Sequence, residues 1–159
     1  MKKAIVLVTI VAFMASCSIS KEVAQQRKTI DGTWTLENVG YEGSDGSFKA
    51  QLFNDAQAFC FEGSTWFFRN NNSTGTYTIP TTNSACSGGI RNIRWSVSES
   101  NMGNDRLMFK FIDEKKNDLY GGTGYGLDIV SLSPTQMTLK SNATVNGESI
   151  DVIYEFNKQ

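Results

Sequence analysis

Residues 146–156, with the sequence NGESIDVIYEF, carry the strongest fold signal in the chain. From Ile150 to Phe156, large apolar side chains alternate with Asp151, Ile153 and Glu155. This period of two is typical of a strand that buries one face. The preceding Asn-Gly pair favours a two-residue hairpin turn, because both central positions of a type I′ turn need positive φ. The segment therefore predicts an antiparallel strand paired with the one before it.

The same alternation recurs along most of the chain, so that residues 149–156 form the last of eight predicted strands. The other seven predicted strands are 32–39, 64–69, 73–79, 90–98, 106–112, 125–132 and 136–144. Turn-rich segments such as Asn70-Asn71-Asn72 and Ser133-Pro134 separate them. A helical turn is predicted only in residues 54–59, before the second strand, where Asn54 could cap it.

Short links between consecutive strands favour an all-β fold of antiparallel neighbours. Eight such strands can bury one apolar face by closing into an up-and-down barrel, which also removes the sheet edges. A two-sheet sandwich with Greek-key links is the alternative that the pattern leaves open.

Composition limits the function classes. The chain has 159 residues, enough for one domain, and its 40% apolar and 19% charged residues are typical of a folded protein. Its formal net charge of −1 argues against a nucleic-acid binder, which needs a basic face. The chain has no histidine, and this excludes Ser-His and Cys-His nucleophilic sites and zinc sites built on imidazole. We expect no cofactor.

The N-terminus has the features of an export signal. Lys2 and Lys3 precede the uncharged apolar segment 4–14, and small residues follow it, as in a secretory signal peptide over 1–16. The ending Met14-Ala15-Ser16-Cys17 resembles the bacterial lipobox, and this implies cleavage before Cys17 and a lipid on its sulfur. Residues 17–29 lack apolar periodicity and are predicted to be a lipidated tether, followed by the barrel domain over 30–159. We therefore expect a lipoprotein of the bacterial cell envelope, anchored in the outer membrane.

Once Cys17 is assigned to a lipid, Cys60 and Cys86 remain as an even pair in an exported chain. Such a pair predicts a disulfide. Two free buried thiols are the alternative, because a sequence does not show whether the two Cα atoms come within range.

Several strings resemble a known family. Gly32-Thr33-Trp34 at the start of the first strand resembles the lipocalin signature, whose tryptophan closes the base of an eight-stranded barrel. The strings CFEGSTW (60–66) and NSTGTY (72–77), with the segment from Gly89 to Trp95, resemble lipocalin-like lipoproteins of the Bacteroidota. The arginine that animal lipocalins place late in the barrel, stacked on that tryptophan, is missing here. The resemblance implies a cup-shaped binding domain rather than an enzyme.

The predicted barrel interior supplies the candidate ligand-binding residues, which are aromatic side chains on inward positions of the strands. They are Trp66, Phe68, Tyr77, Trp95, Phe109, Phe111 and Tyr154. Such a wall suits a small apolar or amphipathic ligand. We expect a monomer that binds this ligand and, through its lipid, a membrane. A filled barrel that serves as a protein–protein accessory module is the alternative, and an enzyme using Glu62 with a second acid is the least favoured.

Overall fold

The computed structural model describes residues 19–42, 50–81, 83–145 and 147–159. The predicted signal peptide, residues 1–16, and the predicted lipidation site, Cys17, lie outside these ranges, so both stay predictions. Within the described ranges, no helix is long and apolar enough to cross a membrane.

Eight antiparallel strands close into a barrel, in which neighbours in the chain are neighbours in the sheet and the first strand pairs with the last. The barrel strands are β1 (Gly32–Glu42), β4 (Thr65–Arg69), β5 (Thr74–Ile79), β6 (Gly89–Ser98), β7 (Arg106–Ile112), β8 (Gly124–Leu132), β9 (Gln136–Val145) and β10 (Glu148–Lys158). Between β1 and β4, the short strands β2 (Gln51–Leu52) and β3 (Ala56–Gln57) pair as a separate hairpin. The predicted up-and-down barrel is confirmed, and the sandwich is not formed.

The predicted hairpin between the last two strands is present. Glu148 pairs with Val145, and Gly147 has a φ of +86°, a backbone conformation that glycine adopts without a steric penalty. Asn146 lies outside the described residues. Along β10, Ile150, Val152, Tyr154 and Phe156 are buried, as the alternation predicts.

Helix α1 (Lys21–Ile30) corrects the prediction of an irregular tether over residues 17–29, because most of that segment is helical. The Ser20 side chain caps the helix by accepting a hydrogen bond from the Val23 amide at 3.2 Å. Val23 and Ile30 are the two buried residues of α1. Two buried residues are too few to produce a periodic apolar pattern in the sequence. Polar contacts between α1 and the barrel also help to hold the helix in place.

Helix α2 (Ala58–Phe61) confirms the predicted helical turn before the second barrel strand but not its position. The prediction placed it at residues 54–59 with Asn54 as the cap. Asn54 instead has a φ of +53° in the turn of the β2–β3 hairpin, which ends at Gln57, so the helix starts four residues later.

A disulfide joins Cys60 in α2 to Cys86 in the loop that precedes β6. The prediction of this bond is confirmed, and the alternative of two free thiols is excluded. Both residues lie at one end of the barrel, which we call the mouth. The β2–β3 hairpin and the loop 113–123 lie at the same end. We call the other end, which α1 covers, the closed end.

Candidate ligand-binding site

The seven predicted ligand-binding side chains all point into the barrel, and none is more than 4% exposed. They come from β4, β5, β6, β7 and β10, because the period of two turns every second side chain of each strand inward. Cross-strand pairs align Trp66 with Tyr77 and Trp95 with Phe109. The inward orientation agrees with the sequence, whereas contact with a ligand stays a prediction.

The closed end of the barrel is packed around two tryptophans. Trp95 contacts Phe68 edge-on, with ring centroids 5.4 Å apart, and its indole Nε1 donates to the Thr74 carbonyl at 3.0 Å. Trp34 is fully buried, and its indole nitrogen donates to the Ile30 carbonyl at 2.7 Å. These side chains fill the half of the interior next to the closed end, so a ligand that enters from the mouth would meet other rings first.

Lys158 takes the place of the arginine that the family resemblance implies on Trp34. Its Nζ lies 5.1 Å from the centroid of the Trp34 ring and donates to the Thr29 carbonyl at 2.8 Å. A cation over an indole face is attracted by the ring quadrupole. The last residues of β10 therefore hold both the base tryptophan and the end of α1.

The mouth half of the interior is occupied by Phe53, which the sequence analysis did not single out. Its ring approaches rings from five different parts of the chain, with centroid distances between 4.9 and 6.2 Å. The partners are Phe61, Trp66, Phe109, Tyr125 and Tyr154. Four of these contacts are edge-on, and only Tyr154 stacks parallel to it, an arrangement that the quadrupoles of aromatic rings favour. Phe53 is 8% exposed, and its side chain covers the barrel interior on the side of the mouth.

Phe53 belongs to the turn of the β2–β3 hairpin and not to a barrel strand. Its φ is +54°, and Asn54 beside it has +53°. The left-handed region costs a bulky residue of order 1–3 kcal/mol, so it persists only when surrounding contacts impose it. The aromatic contacts of Phe53 supply that constraint, and no local sequence signal predicts it.

Asp55 ties this hairpin to the barrel wall. Its carboxylate accepts a hydrogen bond from the Tyr77 hydroxyl at 2.7 Å and forms two contacts with the Arg91 guanidinium, at 2.9 and 3.1 Å. The Asp55 and Arg91 side chains are 19% and 17% exposed, so the pair is well shielded from solvent. Burial raises the pKa of Tyr77 well above its usual value, and the hydrogen bond to Asp55 raises it further. The Tyr77 hydroxyl therefore stays protonated and donates to Asp55.

A cleft of about 470 Å³ lies beside the hairpin at the mouth. Asn54, Asp55 and Arg91 contribute its polar wall, and Phe111 contributes buried apolar surface. Three apolar residues on its rim are exposed, namely Ile90 (70%), Leu119 (37%) and Tyr120 (73%). The Phe111 ring contacts Tyr120 on one side and Tyr125 on the other, and Tyr125 in turn contacts Phe53. Aromatic contacts thus connect the outer rim to the interior.

The acidic candidates have structural partners. Glu62 is exposed, and its Oε1 accepts a hydrogen bond from the Val39 amide at 3.3 Å, which fits a residue that anchors the backbone. Two arginines that could pair with such a glutamate have other partners, since Arg91 pairs with Asp55 and Arg94 donates to the Lys116 carbonyl. Among the described residues, no group of three His, Cys, Asp or Glu side chains is placed to hold a metal ion.

Comparison with known proteins gives the family. The model of the lipocalin-like domain family matches residues 30–139, and the chain therefore belongs to that family. No curated protein matches the chain significantly.

Solved structures are similar at low identity. A lipocalin-like protein from Bacteroides uniformis has 14% identity and a TM-score of 0.44, over 82% of this chain and 99% of that one. Bovine odorant-binding protein in complex with a selenium-containing odorant has 14% identity and a TM-score of 0.42, over 89% of this chain and 78% of that one. The same bovine protein in complex with undecanal has 12% identity and a TM-score of 0.38, over 82% and 71%.

Proposed function

We propose that this protein is a lipoprotein of the bacterial cell envelope that binds a small apolar or amphipathic molecule inside its barrel and catalyses no reaction. Membership of the lipocalin-like domain family and the aromatic interior support the binding role. The apolar N-terminal segment and the string Met14-Ala15-Ser16-Cys17 support an outer-membrane anchor on Cys17. A diacylglyceryl group on the Cys17 sulfur would carry two acyl chains, which would hold the domain firmly to a bilayer.

The position of Phe53 is the observation that carries the binding role. An apolar ring already fills the mouth half of the interior, yet it comes from a two-stranded hairpin and not from the barrel. A ligand ring or acyl chain can therefore replace the Phe53 ring without breaking any barrel strand pair. The five rings around Phe53 would then contact the ligand, and Trp66, Phe109 and Tyr154 among them are predicted ligand-binding residues.

Titration with the apolar fluorescent probe N-phenyl-1-naphthylamine tests this proposal. Phe53→Ala removes the competing ring, so we expect it to bind the probe about tenfold more tightly than the wild type. Phe59→Ala is the matched control, because Phe59 is 44% exposed near the same hairpin, and its removal should leave probe affinity unchanged. Absence of probe binding in both the wild type and a folded Phe53→Ala variant would contradict the binding role.

The anchor has its own test. Cys17→Ser should move the protein from the outer-membrane fraction to the soluble periplasm, and mass spectrometry of the wild type should find an acylated Cys17 as the first residue. A Cys17→Ser protein that stays in the membrane with an intact N-terminus would show that the segment is an uncleaved anchor.

A second candidate is an accessory module that binds another envelope protein. The packing of the interior rings and the exposed Ile90 and Tyr120 on the rim favour it. The two functions are distinguished by native mass spectrometry of the protein isolated from its own envelope. A bound lipid or other small molecule supports the binding role. A stoichiometric partner protein, with no small molecule in a barrel filled by its own side chains, supports the accessory role.

A further inference from the structure

Helix α1 has two different faces. Val23 and Ile30 are buried against the barrel, whereas Lys21, Gln25 and Lys28 are exposed. At 3.6 residues per turn, positions 21, 25 and 28 fall on one side of the helix, opposite Val23 and Ile30. The outer face of α1 therefore presents two lysines to the surroundings. Its nearest acidic neighbours, Glu22 and Asp31, lie beside this stripe.

Of these two carboxylates, Asp31 accepts a hydrogen bond from the Asn70 amide at 2.7 Å. Glu22 is exposed and, like Gln25, borders the cleft between α1 and β8. The stripe of Lys21, Gln25 and Lys28, which we call the basic stripe, contains two lysines and no carboxylate.

The contacts of α1 fix the basic stripe on the closed end. Arg27 donates to Asn70 and Ser73, which belong to the turn between β4 and β5, and its guanidinium lies 4.7 Å from the centroid of the Trp95 ring. Gln26 donates to Asp105, which lies in the loop between β6 and β7, at 2.9 Å. Because α1 is held by both of these closed-end turns, its outer face points away from the mouth.

The described part of the chain begins at this end, two residues after the proposed lipidation site. Ile19 is 61% exposed next to the cap of α1. Two peptide units separate it from Cys17, and they span at most about 7 Å. A lipid inserted at Cys17 therefore holds the closed end close to the headgroups, and a barrel on so short a connection cannot turn its far end to the same bilayer.

We propose that the closed end of the barrel lies on the membrane that holds the Cys17 lipid, with the basic stripe on anionic headgroups and the mouth directed away from that membrane. This inference rests on the proposed anchor. Lysines near an anionic surface are attracted to it within about a Debye length. The consequence is that a ligand reaches Phe53 and the mouth cleft from the aqueous side and not from the bilayer beneath.

Site-specific quenching tests the orientation. The full-length acylated protein is placed in phosphatidylcholine vesicles that contain phosphatidylglycerol, with a thiol-reactive NBD label on Gln25→Cys at the closed end or on Tyr120→Cys at the mouth. Cys60 and Cys86 are bonded, so the introduced thiol takes the label. With a lipid spin-labelled on its headgroup, we expect several-fold stronger quenching at position 25 than at position 120. Equal quenching, or stronger quenching at position 120, would overturn the orientation.

Charge reversal tests the role of the basic stripe. Lys21→Glu with Lys28→Glu should remove the part of the quenching at position 25 that depends on phosphatidylglycerol. Lys115→Glu with Lys116→Glu is the matched control, because these lysines are exposed in the loop 113–123 at the mouth, and it should leave that quenching unchanged. If both double variants lose this phosphatidylglycerol-dependent quenching equally, or if neither loses it, the proposed contact between the basic stripe and the headgroups is overturned.

Vesicle retention separates the two proposals. If the acylated protein does not cosediment with vesicles, the anchor and the orientation both fail. If it cosediments but the two labels are quenched equally, the orientation alone fails. The binding role is tested separately by titration with N-phenyl-1-naphthylamine, so its outcome depends on neither of these results.

Discussion

The Tyr77 hydroxyl donates a hydrogen bond to Asp55 over 2.7 Å, and this contact joins the barrel wall to the hairpin that carries Phe53. The same carboxylate holds Arg91, so one side chain connects β5, β6 and the turn next to Phe53. Removal of one partner from a shielded, hydrogen-bonded ionic group leaves the others unsatisfied, which costs more than the contact itself contributes.

Asp55→Ala should therefore loosen the hairpin. We expect a destabilisation of about 1–3 kcal/mol and faster hydrogen exchange at the amides of 50–58, including the Ala58 amide that donates to the Ala50 carbonyl. Asp118→Ala breaks the more exposed pair with Lys110 and serves as the control, with an expected cost below about 1 kcal/mol. Equal exchange of the hairpin amides in the Asp55→Ala protein and the wild type would show that the Phe53 contacts alone hold the turn.

The two ends of the interior should respond differently to loss of a ring. Trp95→Ala removes packing, an indole hydrogen bond and the Arg27 contact at the closed end, and should cost about 3–5 kcal/mol. Phe111→Ala should cost less, because Phe111 borders the cleft at the mouth, and it should weaken binding of the apolar probe. Urea denaturation and probe titration of both variants check this order. A Phe111→Ala cost equal to that of Trp95→Ala would indicate that the mouth half is also rigid core.

Arg27 should be the polar residue that fixes α1. Arg27→Ala removes hydrogen bonds to Asn70 and Ser73 and the contact with the Trp95 ring, so we expect a loss of about 1–3 kcal/mol and proteolytic cleavage within α1. Lys28→Ala changes the next residue, which is exposed, and should alter stability by less than about 0.5 kcal/mol. A similar small effect of both substitutions would show that Val23 and Ile30 suffice to hold the helix.

Alkaline pH should destabilise the barrel through its buried tyrosines. Burial raises the pKa of Tyr154 to about 12, and the unfolded side chain ionises near 10, so between these values the unfolded state loses its proton first. The free energy of unfolding then falls as the pH rises, by about 2 kcal/mol for this residue by pH 12. The pKa of Tyr77 is raised in the same direction. Urea midpoints measured across this range should fall, and Tyr154→Phe should remove its share of the slope. A midpoint independent of pH would contradict the shift.

The barrel follows from the sequence because its signal is local and repeated. Buried side chains alternate with more exposed ones along the barrel strands, for example through β5 and through residues 150–156 of β10. The same rule places the seven predicted aromatic side chains inside. The disulfide was also predictable, because Cys60 and Cys86 remain once Cys17 is set aside as the predicted lipidation site.

Phe53 and α1 could not be predicted in this way, since their stability comes from distant partners. The left-handed backbone of Phe53 depends on rings from four barrel strands and α2. Helix α1 depends on Arg27 meeting Trp95 and on Lys158 meeting Thr29, across 129 positions of the chain. Lys158 also lies over the Trp34 ring, a contact that no local sequence pattern predicts.

The pairing of β1 with β10 determines when the molecule can fold. The two strands pair from Trp34 opposite Lys158 to Glu42 opposite Asp151, so the barrel cannot close until β10 is available. Until then, β1 and β9 have unpaired edges, which can pair with other chains and cause aggregation. A chain that lacks β10 would therefore keep both of these edges unpaired, and we expect it to aggregate and to be cleaved by proteases more readily than the closed barrel.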